Sequence, residues 1–406
     1  MNRQPFAKPP RWWSPQLNRW WIHWWRPWRK RLQQNKHRLL SVEVRGLEQV
    51  REARARGHGI LLTPNHSSHA DPFVLYAAAD ELRCPFYVMI AWQNFIRDGW
   101  LRAMVSRHHG GFSVDREGTD LQAVRQAAEI LESRPNPLCI FPEGDVYHLN
   151  DRLTPFREGP AAIALMAARK STRPVVCIPS AIKYRYVTDP TPDLLPVMEN
   201  LERAIHWRPR PDLSLAERIY HFAEGALALK EIEFLGRTCS GPLSQRLADL
   251  IDFILNFLEV RHGVKAAGVT VPERVKAVRQ QIITRLTELP ADDPLRRQSE
   301  QDLEDVFLVV QLFSYPGDYV AQQPTFERLA ETLDKFEEDM LRVKTAGIRG
   351  ARTATITFGE PIPVTVGRTE KRAAAALTRT LEQQVQSLLD QAQGIVADRP
   401  RRAAAG

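Results

Sequence analysis

The chain has 406 residues, 43% of them hydrophobic and 26% charged, so it can bury a sizeable core and is not a disordered polypeptide. Its net charge of +8 originates in residues 1–42, which contain ten Lys or Arg and no Asp or Glu. The remaining residues carry 46 basic and 48 acidic side chains, so the basic character does not belong to the fold.

The cysteines exclude a disulfide framework. Cys84, Cys139, Cys177 and Cys239 form no CxxC pair, and the first three lie in or beside apolar runs. We expect reduced core residues in a cytosolic compartment and no zinc site.

The first segment, residues 1–42, contains seven of the ten tryptophans: Trp12, Trp13, Trp20, Trp21, Trp24, Trp25 and Trp28. Basic residues interrupt it too early for a signal peptide, and no window of the chain approaches the ~20 apolar residues of a spanning helix. Indole rings and arginines favour a membrane interface. We therefore expect residues 1–40 to bind a membrane surface, with a peripheral or monotopic location on its cytoplasmic face. Packing within the protein is an alternative, and stacking on nucleic-acid bases is a third reading that we do not expect.

Residues 43–188 alternate short apolar runs with helical patterns, which predicts an α/β core with a mostly parallel sheet covered by helices. The predicted strands are Ile60–Leu62, Phe86–Ile90, Phe112–Val114, Leu138–Phe141 and Val175–Ile178. The predicted helices are Phe73–Asp80, Ile96–Ser106, Asp120–Ser133 and Ala161–Lys170.

Residues 189–350 carry amphipathic helical patterns and no strand signal, which predicts a large all-helical insertion. The helices are expected over Leu215–Leu235, Leu243–Val260, Pro272–Leu289, Gln301–Phe313 and Phe326–Val343. Residues 351–396 return to the core with a strand, Ala354–Phe358, and a final helix of about 369–394. Residues 397–406 are expected to be a disordered tail.

The motif with most chemical information is His66 followed five residues later by Asp71, at the end of a predicted strand. Open parallel sheets bind ligands at such strand ends. Pro72 predicts that the intervening residues form a loop, which allows a hydrogen bond between imidazole and carboxylate. An imidazole oriented by a carboxylate can accept a proton from an alcohol.

Other interpretations of this motif stay open. Asp71 before Pro72 also has the pattern of a helix N-cap, and both roles can hold together. His69 competes with His66 for the role of base. A zinc site of His66, His69 and Asp71 is a further alternative, although the spacing does not match a metal-binding run and we expect no metal.

Three further segments also lie at strand or helix ends. Gly110–Arg116 ends in an arginine that can bind a phosphate, or form a surface ion pair. In Phe141–Gly144, Gly144 permits close backbone approach and Glu143 can accept hydrogen bonds from ligand hydroxyls. Arg157, before a helix that starts after Gly159, can favour an anion. For each segment the alternative is that these residues only form a turn and bind no ligand.

With these motifs in order, the chain resembles the glycerolipid acyltransferase family, whose best-known members acylate glycerol 3-phosphate or 1-acylglycerol 3-phosphate. The resemblance covers residues 40–185 and the segment Ile356–Val364. It implies His66 as general base with Asp71 beside it, as in the HX4D motif of the family. It also implies that Arg116, Glu143 and Gly144 hold the acceptor and that the Pro179 strand lines the acyl site.

The resemblance further implies acyl-CoA or acyl-carrier protein as donor, a lysophospholipid as acceptor, no cofactor, and a role in phospholipid biosynthesis. The most specific expectation is 1-acylglycerol 3-phosphate as acceptor. Asp145 departs from the family, which usually has Thr or Ser there, and its carboxylate would repel a phosphate. Glycerol 3-phosphate, a lysolipid without phosphate, and a non-catalytic membrane scaffold are the alternatives.

Overall fold

The computed structural model describes residues 9–96, 99–116, 120–265, 270–290, 292–341, 343–365 and 370–397. The chain divides into two compact units. The first contains Pro9–Asp189 and the chain from Gly350 onward, and the second contains Pro190–Arg349. The predicted disordered tail lies outside the described residues apart from Ala397.

The first unit is built on one sheet. Its strands are β1 (Leu39–Arg45), β2 (Gly59–Pro64), β3 (Tyr87–Ala91), β4 (Gly111–Val114), β5 (Leu138–Cys139), β6 (Val175–Tyr186), β7 (Arg352–Phe358) and β8 (Ile362–Pro363). The strand order is β1-β7-β6-β2-β5-β3-β4, and β8 pairs with β6. Strands β6, β2, β5, β3 and β4 are mutually parallel, whereas β7 and β8 run antiparallel to β6 and β1 runs parallel to β7. The predicted mostly parallel sheet is confirmed.

Helices cover both faces of this sheet, as β2 illustrates. Every residue of β2 is buried, because alternate side chains enter two separate cores. Ile60 and Leu62 belong to one hydrophobic cluster, and Leu61 belongs to the other. The helices of this part of the chain are α1 (Arg19–Trp24), α2 (Arg26–Asn35), α3 (Leu47–Ala55), α4 (Asp71–Leu82), α5 (Gln93–Ile96), α6 (Gly99–His108), α7 (Leu121–Ser133) and α8 (Gly159–Lys170).

The second unit contains only helices among its described residues: α9 (Thr191–Ala204), α10 (Leu215–Leu235), α11 (Leu243–His262), α12 (Val271–Glu288), α13 (Pro294–Phe313), α14 (Tyr319–Gln322) and α15 (Phe326–Met340). Its apolar core combines α10, α11, α12 and α13 around residues such as Leu250, Ile254 and Val306. A buried ion pair between Arg246 and Glu231, at 2.8 Å, joins α11 to α10. The chain then returns to the first unit, where α16 (Glu370–Ala397) packs against β6 and α8.

None of the helices in the described ranges combines the length and the apolar character that crossing a bilayer requires.

The N-terminal segment from Pro9 onward is part of the first unit. Trp13 is buried against Trp92 and Phe95, and its backbone exchanges hydrogen bonds with Ser113 in the edge strand β4. Further on, Arg26 and Arg29 of α2 both form ion pairs of 3.1 Å with Asp80 of α4. Packing within the protein therefore accounts for part of this tryptophan-rich segment.

Candidate active site

The site begins where β2 ends. Residues 65–70 form a loop, and α4 starts at Asp71 with Pro72 in its first turn. Because the loop is not helical, the imidazole and the carboxylate can meet: His66 Nδ1 lies 2.7 Å from Asp71 Oδ2. The interpretation of Asp71 as the helix N-cap is wrong, since Ala70 occupies that position and no side chain caps the helix.

Asp71 is fully buried and accepts two further hydrogen bonds. The backbone N–H of Ser68 donates to Oδ2 at 3.1 Å, and the hydroxyl of Tyr184 donates to Oδ1 at 2.6 Å. Burial, together with the adjacent Asp71 charge, raises the pKa of Tyr184 well above its usual value, so the phenol stays protonated and can donate. The carboxylate is thus held in one orientation toward His66.

The imidazole of His66 has a second contact, with an aromatic side chain. Its ring stacks on Phe141, with 4.0 Å between the ring centroids. With Nδ1 engaged by Asp71, Nε2 is the ring nitrogen left for a substrate. The side chain remains 18% exposed, so a ligand can reach it.

Two buried asparagines attach this region to β6. The amide of Asn65 pairs with the backbone of Ile182, accepting from its N–H at 2.7 Å and donating to its carbonyl at 3.0 Å. The amide of Asn150 pairs with the backbone of Tyr184 in the same way, at 2.7 and 2.9 Å. The side chains therefore continue the pairing of β6 beyond the point where β2 stops, and they keep both loops on the strand that carries Tyr184.

Glu143 links the His66 loop to the segment that leads into α8. It is buried; its Oε1 accepts from the backbone N–H of His66 at 2.6 Å, and its Oε2 accepts from the backbone N–H of Thr154 at 3.0 Å and from the Thr154 hydroxyl. Burial raises the pKa of Glu143, although these hydrogen bonds oppose the shift. The carboxylate thus positions the loop, and the contact of Glu143 with ligand hydroxyls stays a prediction.

Gly144 brings two guanidinium groups to the site. Its φ of +81° favours glycine, and a Cβ atom there would lie 2.6 Å from Arg157 Nε. Arg116 Nη1 donates to the carbonyl of Gly144. Arg116 and Arg157, predicted from two separate segments, therefore both adjoin Gly144.

Asp145 lies against the same arginines. Its Oδ2 is 3.4 Å from Arg116 Nη1, and its Oδ1 accepts from the backbone N–H of Val146 at 3.0 Å. Burial opposes its ionisation, but Arg116, the Val146 amide and Arg157 together lower the pKa of Asp145. The carboxylate is charged at neutral pH and neutralises part of the positive charge of the site.

The other sequence candidates have separate surroundings. The ring of His69 contacts that of His148, with centroids 5.5 Å apart. His109, which is outside the predicted site residues, is buried, and its Nδ1 lies 2.8 Å from the carbonyl of Val105. Pro179 is buried within β6, level with Thr63 of β2, and its carbonyl accepts from the N–H of Gly359. Its role in an acyl site remains a prediction.

Sequence reasoning did not find four contributors: Asn65, Asn150, Thr154 and Tyr184. Asn65 directly precedes His66, and its role depends on its pairing with the backbone of β6. No local pattern signals the others, because their partners lie 11, 34 and 113 positions away for Thr154, Asn150 and Tyr184.

The geometry defines a carboxylate-oriented histidine beside a cationic group, an arrangement suited to deprotonating a hydroxyl on an anionic molecule. Residues 41–183 match the family model described as Acyltransferase. The matched range contains every predicted site residue, from His66 to Pro179, so the chain contains an acyltransferase-family domain and the expected resemblance is confirmed. No curated protein matches the chain. The domain supports a general acyltransferase role.

Proposed function

We propose that the protein is a membrane-associated O-acyltransferase that moves a fatty acyl group from a thioester to the free hydroxyl of a lysophospholipid. The observation that carries the proposal is the His66–Asp71 hydrogen bond of 2.7 Å. Glu143 binds the backbone of His66, and the next residue, Gly144, adjoins Arg116 and Arg157. It combines a base for a hydroxyl with cations for an anionic headgroup in one acyltransferase-family domain.

His66 acts as neutral imidazole in this proposal. Its Nε2 takes the proton of the acceptor hydroxyl as the oxygen attacks the thioester carbonyl carbon. An ester C–O bond forms, the C–S bond breaks, and the leaving thiolate recovers the proton from the imidazolium. Asp71 holds the ring in orientation and stabilises the transient positive charge.

The headgroup of the acceptor is assigned to Arg116 and Arg157, since guanidinium groups bind phosphate oxygens with directed hydrogen bonds. The first acceptor to test is 1-acylglycerol 3-phosphate. The donor is acyl-CoA or acyl-carrier protein, and the reaction belongs to phospholipid biosynthesis.

Membrane association is assigned to the N-terminal segment. Trp20, Trp24 and Trp28 follow one another at intervals of four residues and are 86%, 73% and 55% exposed. This spacing places Trp20 and Trp24 on one face of α1, and Trp28 lies in the first turn of α2. The exposed Arg19, Lys30 and Arg31 in the same segment would attract anionic lipid. The acceptor would then be taken from the membrane surface itself.

The direct test is an assay of the full chain with acyl-CoA, or acyl-carrier protein, and 1-acylglycerol 3-phosphate, with the diacyl product quantified by mass spectrometry. We expect turnover by the native protein. His66→Ala should reduce kcat by about 10²- to 10⁴-fold, the usual contribution of general-base catalysis.

The matched control is His69→Ala, three residues further along the same loop, which should keep most of the activity. A larger loss in His69→Ala than in His66→Ala would transfer the role of base to His69. If no acceptor and donor pair gave product, while the protein still bound vesicles, the scaffold alternative would replace this proposal.

A further inference from the structure

The carboxylate of Asp145 lies beside Arg116, one of the two arginines to which the headgroup of the acceptor is assigned. Its Oδ2 lies 3.4 Å from Arg116 Nη1, and the same nitrogen donates to the carbonyl of the preceding Gly144. The two side chains are 28% and 17% exposed, so the pair lies at an accessible edge of the site. An anionic ligand that binds Arg116 would have to share the guanidinium group with this carboxylate or displace the carboxylate from it.

The charges at this point can be counted from the described contacts. Two guanidinium groups, Arg116 and Arg157, adjoin Gly144, and the carboxylate of Asp145 interacts with both. Glu143 precedes Gly144 in the chain, and its oxygens accept hydrogen bonds from His66 and Thr154. In its ionised form it would lower the net charge further. Among these four described side chains the net charge is therefore at most +1.

This balance suits a singly charged group better than a dianion. A phosphate monoester carries about −1.5 to −2 at pH 7, whereas a phosphodiester carries a single negative charge. The net charge of these side chains neutralises one negative charge of a monoester. Its second negative charge would be repelled by Asp145 at close range.

We infer that Asp145 is a specificity-determining residue that turns the acceptor site from phosphomonoester lysolipids toward lysolipids with a singly charged phosphodiester headgroup. This inference rests on the proposed acyl transfer to a lysophospholipid. It makes 1-acylglycerol 3-phosphate a usable acceptor but not the one that the charge of the site fits best.

The experiment compares two acceptors with the same acyl chain, 1-acylglycerol 3-phosphate and 1-acylglycerol 3-phosphoglycerol, in the full chain and its variants. Asp145→Ser removes the carboxylate, and Asp145→Asn removes only the charge at nearly constant size. Both should raise kcat/KM for the phosphomonoester, relative to the phosphodiester, at least tenfold. The change should lie in KM, because His66 and Asp71 are untouched.

Glu158→Gln is the control, since it removes an exposed negative charge next to Arg157 and should leave the ratio within about twofold. A native enzyme that uses either acceptor, with an unchanged ratio in both Asp145 variants, would overturn the role of Asp145 and leave acyl transfer intact. A protein that acylates neither acceptor in any form would overturn both inferences.

Discussion

At the scale of single residues, the site depends on groups that hold other groups. Asp71 accepts from His66, Ser68 and Tyr184, and only the first of these lies at a spacing that sequence analysis can interpret. A buried carboxylate needs such donors, because an uncompensated charge in the interior is costly. Tyr184 therefore serves as a positioning residue for the His66–Asp71 pair.

Tyr184→Phe removes the hydroxyl donor and keeps the ring that packs in the core. We expect kcat to fall about 10- to 150-fold, since a lost hydrogen bond to a charged acceptor costs roughly 1.5–3 kcal/mol. KM for the acceptor should change little, and this split distinguishes positioning of the base from a loss of acceptor binding. Tyr186→Phe, two residues further along β6, is the control. Equal effects of the two variants on kcat would contradict the role of Tyr184.

At the scale of elements, α1 and α2 are attached to the first unit by one side and leave another side uncovered. Trp21 of α1 packs on His108, with 5.0 Å between ring centroids, and Arg29 of α2 binds Asp80. Trp20, Trp24 and Trp28 remain exposed. Exposed indole rings in a row are unfavourable in water and favourable at a bilayer interface.

Replacing Trp20, Trp24 and Trp28 together by Ser should lower binding to anionic phospholipid vesicles at least about tenfold in a sedimentation assay, because the apolar contact with the interface is lost. Binding of the native protein should weaken as salt screens the basic residues. The comparison variant replaces Phe253, Phe257 and Val260, an exposed apolar row on α11, by Ser. Loss of binding in that variant alone would assign the membrane contact to the helical unit.

At the scale of the whole molecule, acid stability is linked to two buried histidines of the first unit. Burial lowers the pKa of His37 and of His109 from 6.5 to about 4 in each case. The unfolded chain therefore binds these protons at a higher pH than the folded chain. Stability is fully present above pH 6.5 and is lost as the pH falls toward 4, by about 3 kcal/mol for each histidine.

The double variant His37→Phe and His109→Phe should lose much less stability than the native protein between pH 6.5 and 4.5. Both rings already lie against aromatic neighbours, Phe73 and Tyr76, so the replacement suits the site. The measurement is urea unfolding followed by tryptophan fluorescence, which reports mainly on the first unit because Trp207 alone lies in the second. An unchanged pH dependence would contradict this origin of acid sensitivity. The exposed His23→Phe is the control.

Periodicity in the sequence predicted five of the six longer strands and the bounds of α10 at Leu215–Leu235. Pro72 predicted the loop that lets His66 reach Asp71, and the motifs with the family resemblance indicated the general chemistry. These predictions depend on local patterns, whereas periodicity did not reveal every strand. It missed β1, whose seven residues gain their stability by pairing with β7 more than 300 positions later. Sequence analysis also missed the contact of Tyr184 with Asp71 and the contacts of Asn65 and Asn150 with β6, which likewise join separate segments.

The charges of the protein also divide into what the sequence determines and what the tertiary structure determines. Composition alone placed the excess of positive charge in residues 1–42, and the resemblance to the family marked Asp145 as a departure. Only the tertiary structure decided which tryptophans are buried and which are exposed, and that Asp145 faces Arg116. Such outcomes depend on contacts between segments distant in sequence, because burial and Coulomb interactions follow distance in space and not position along the chain.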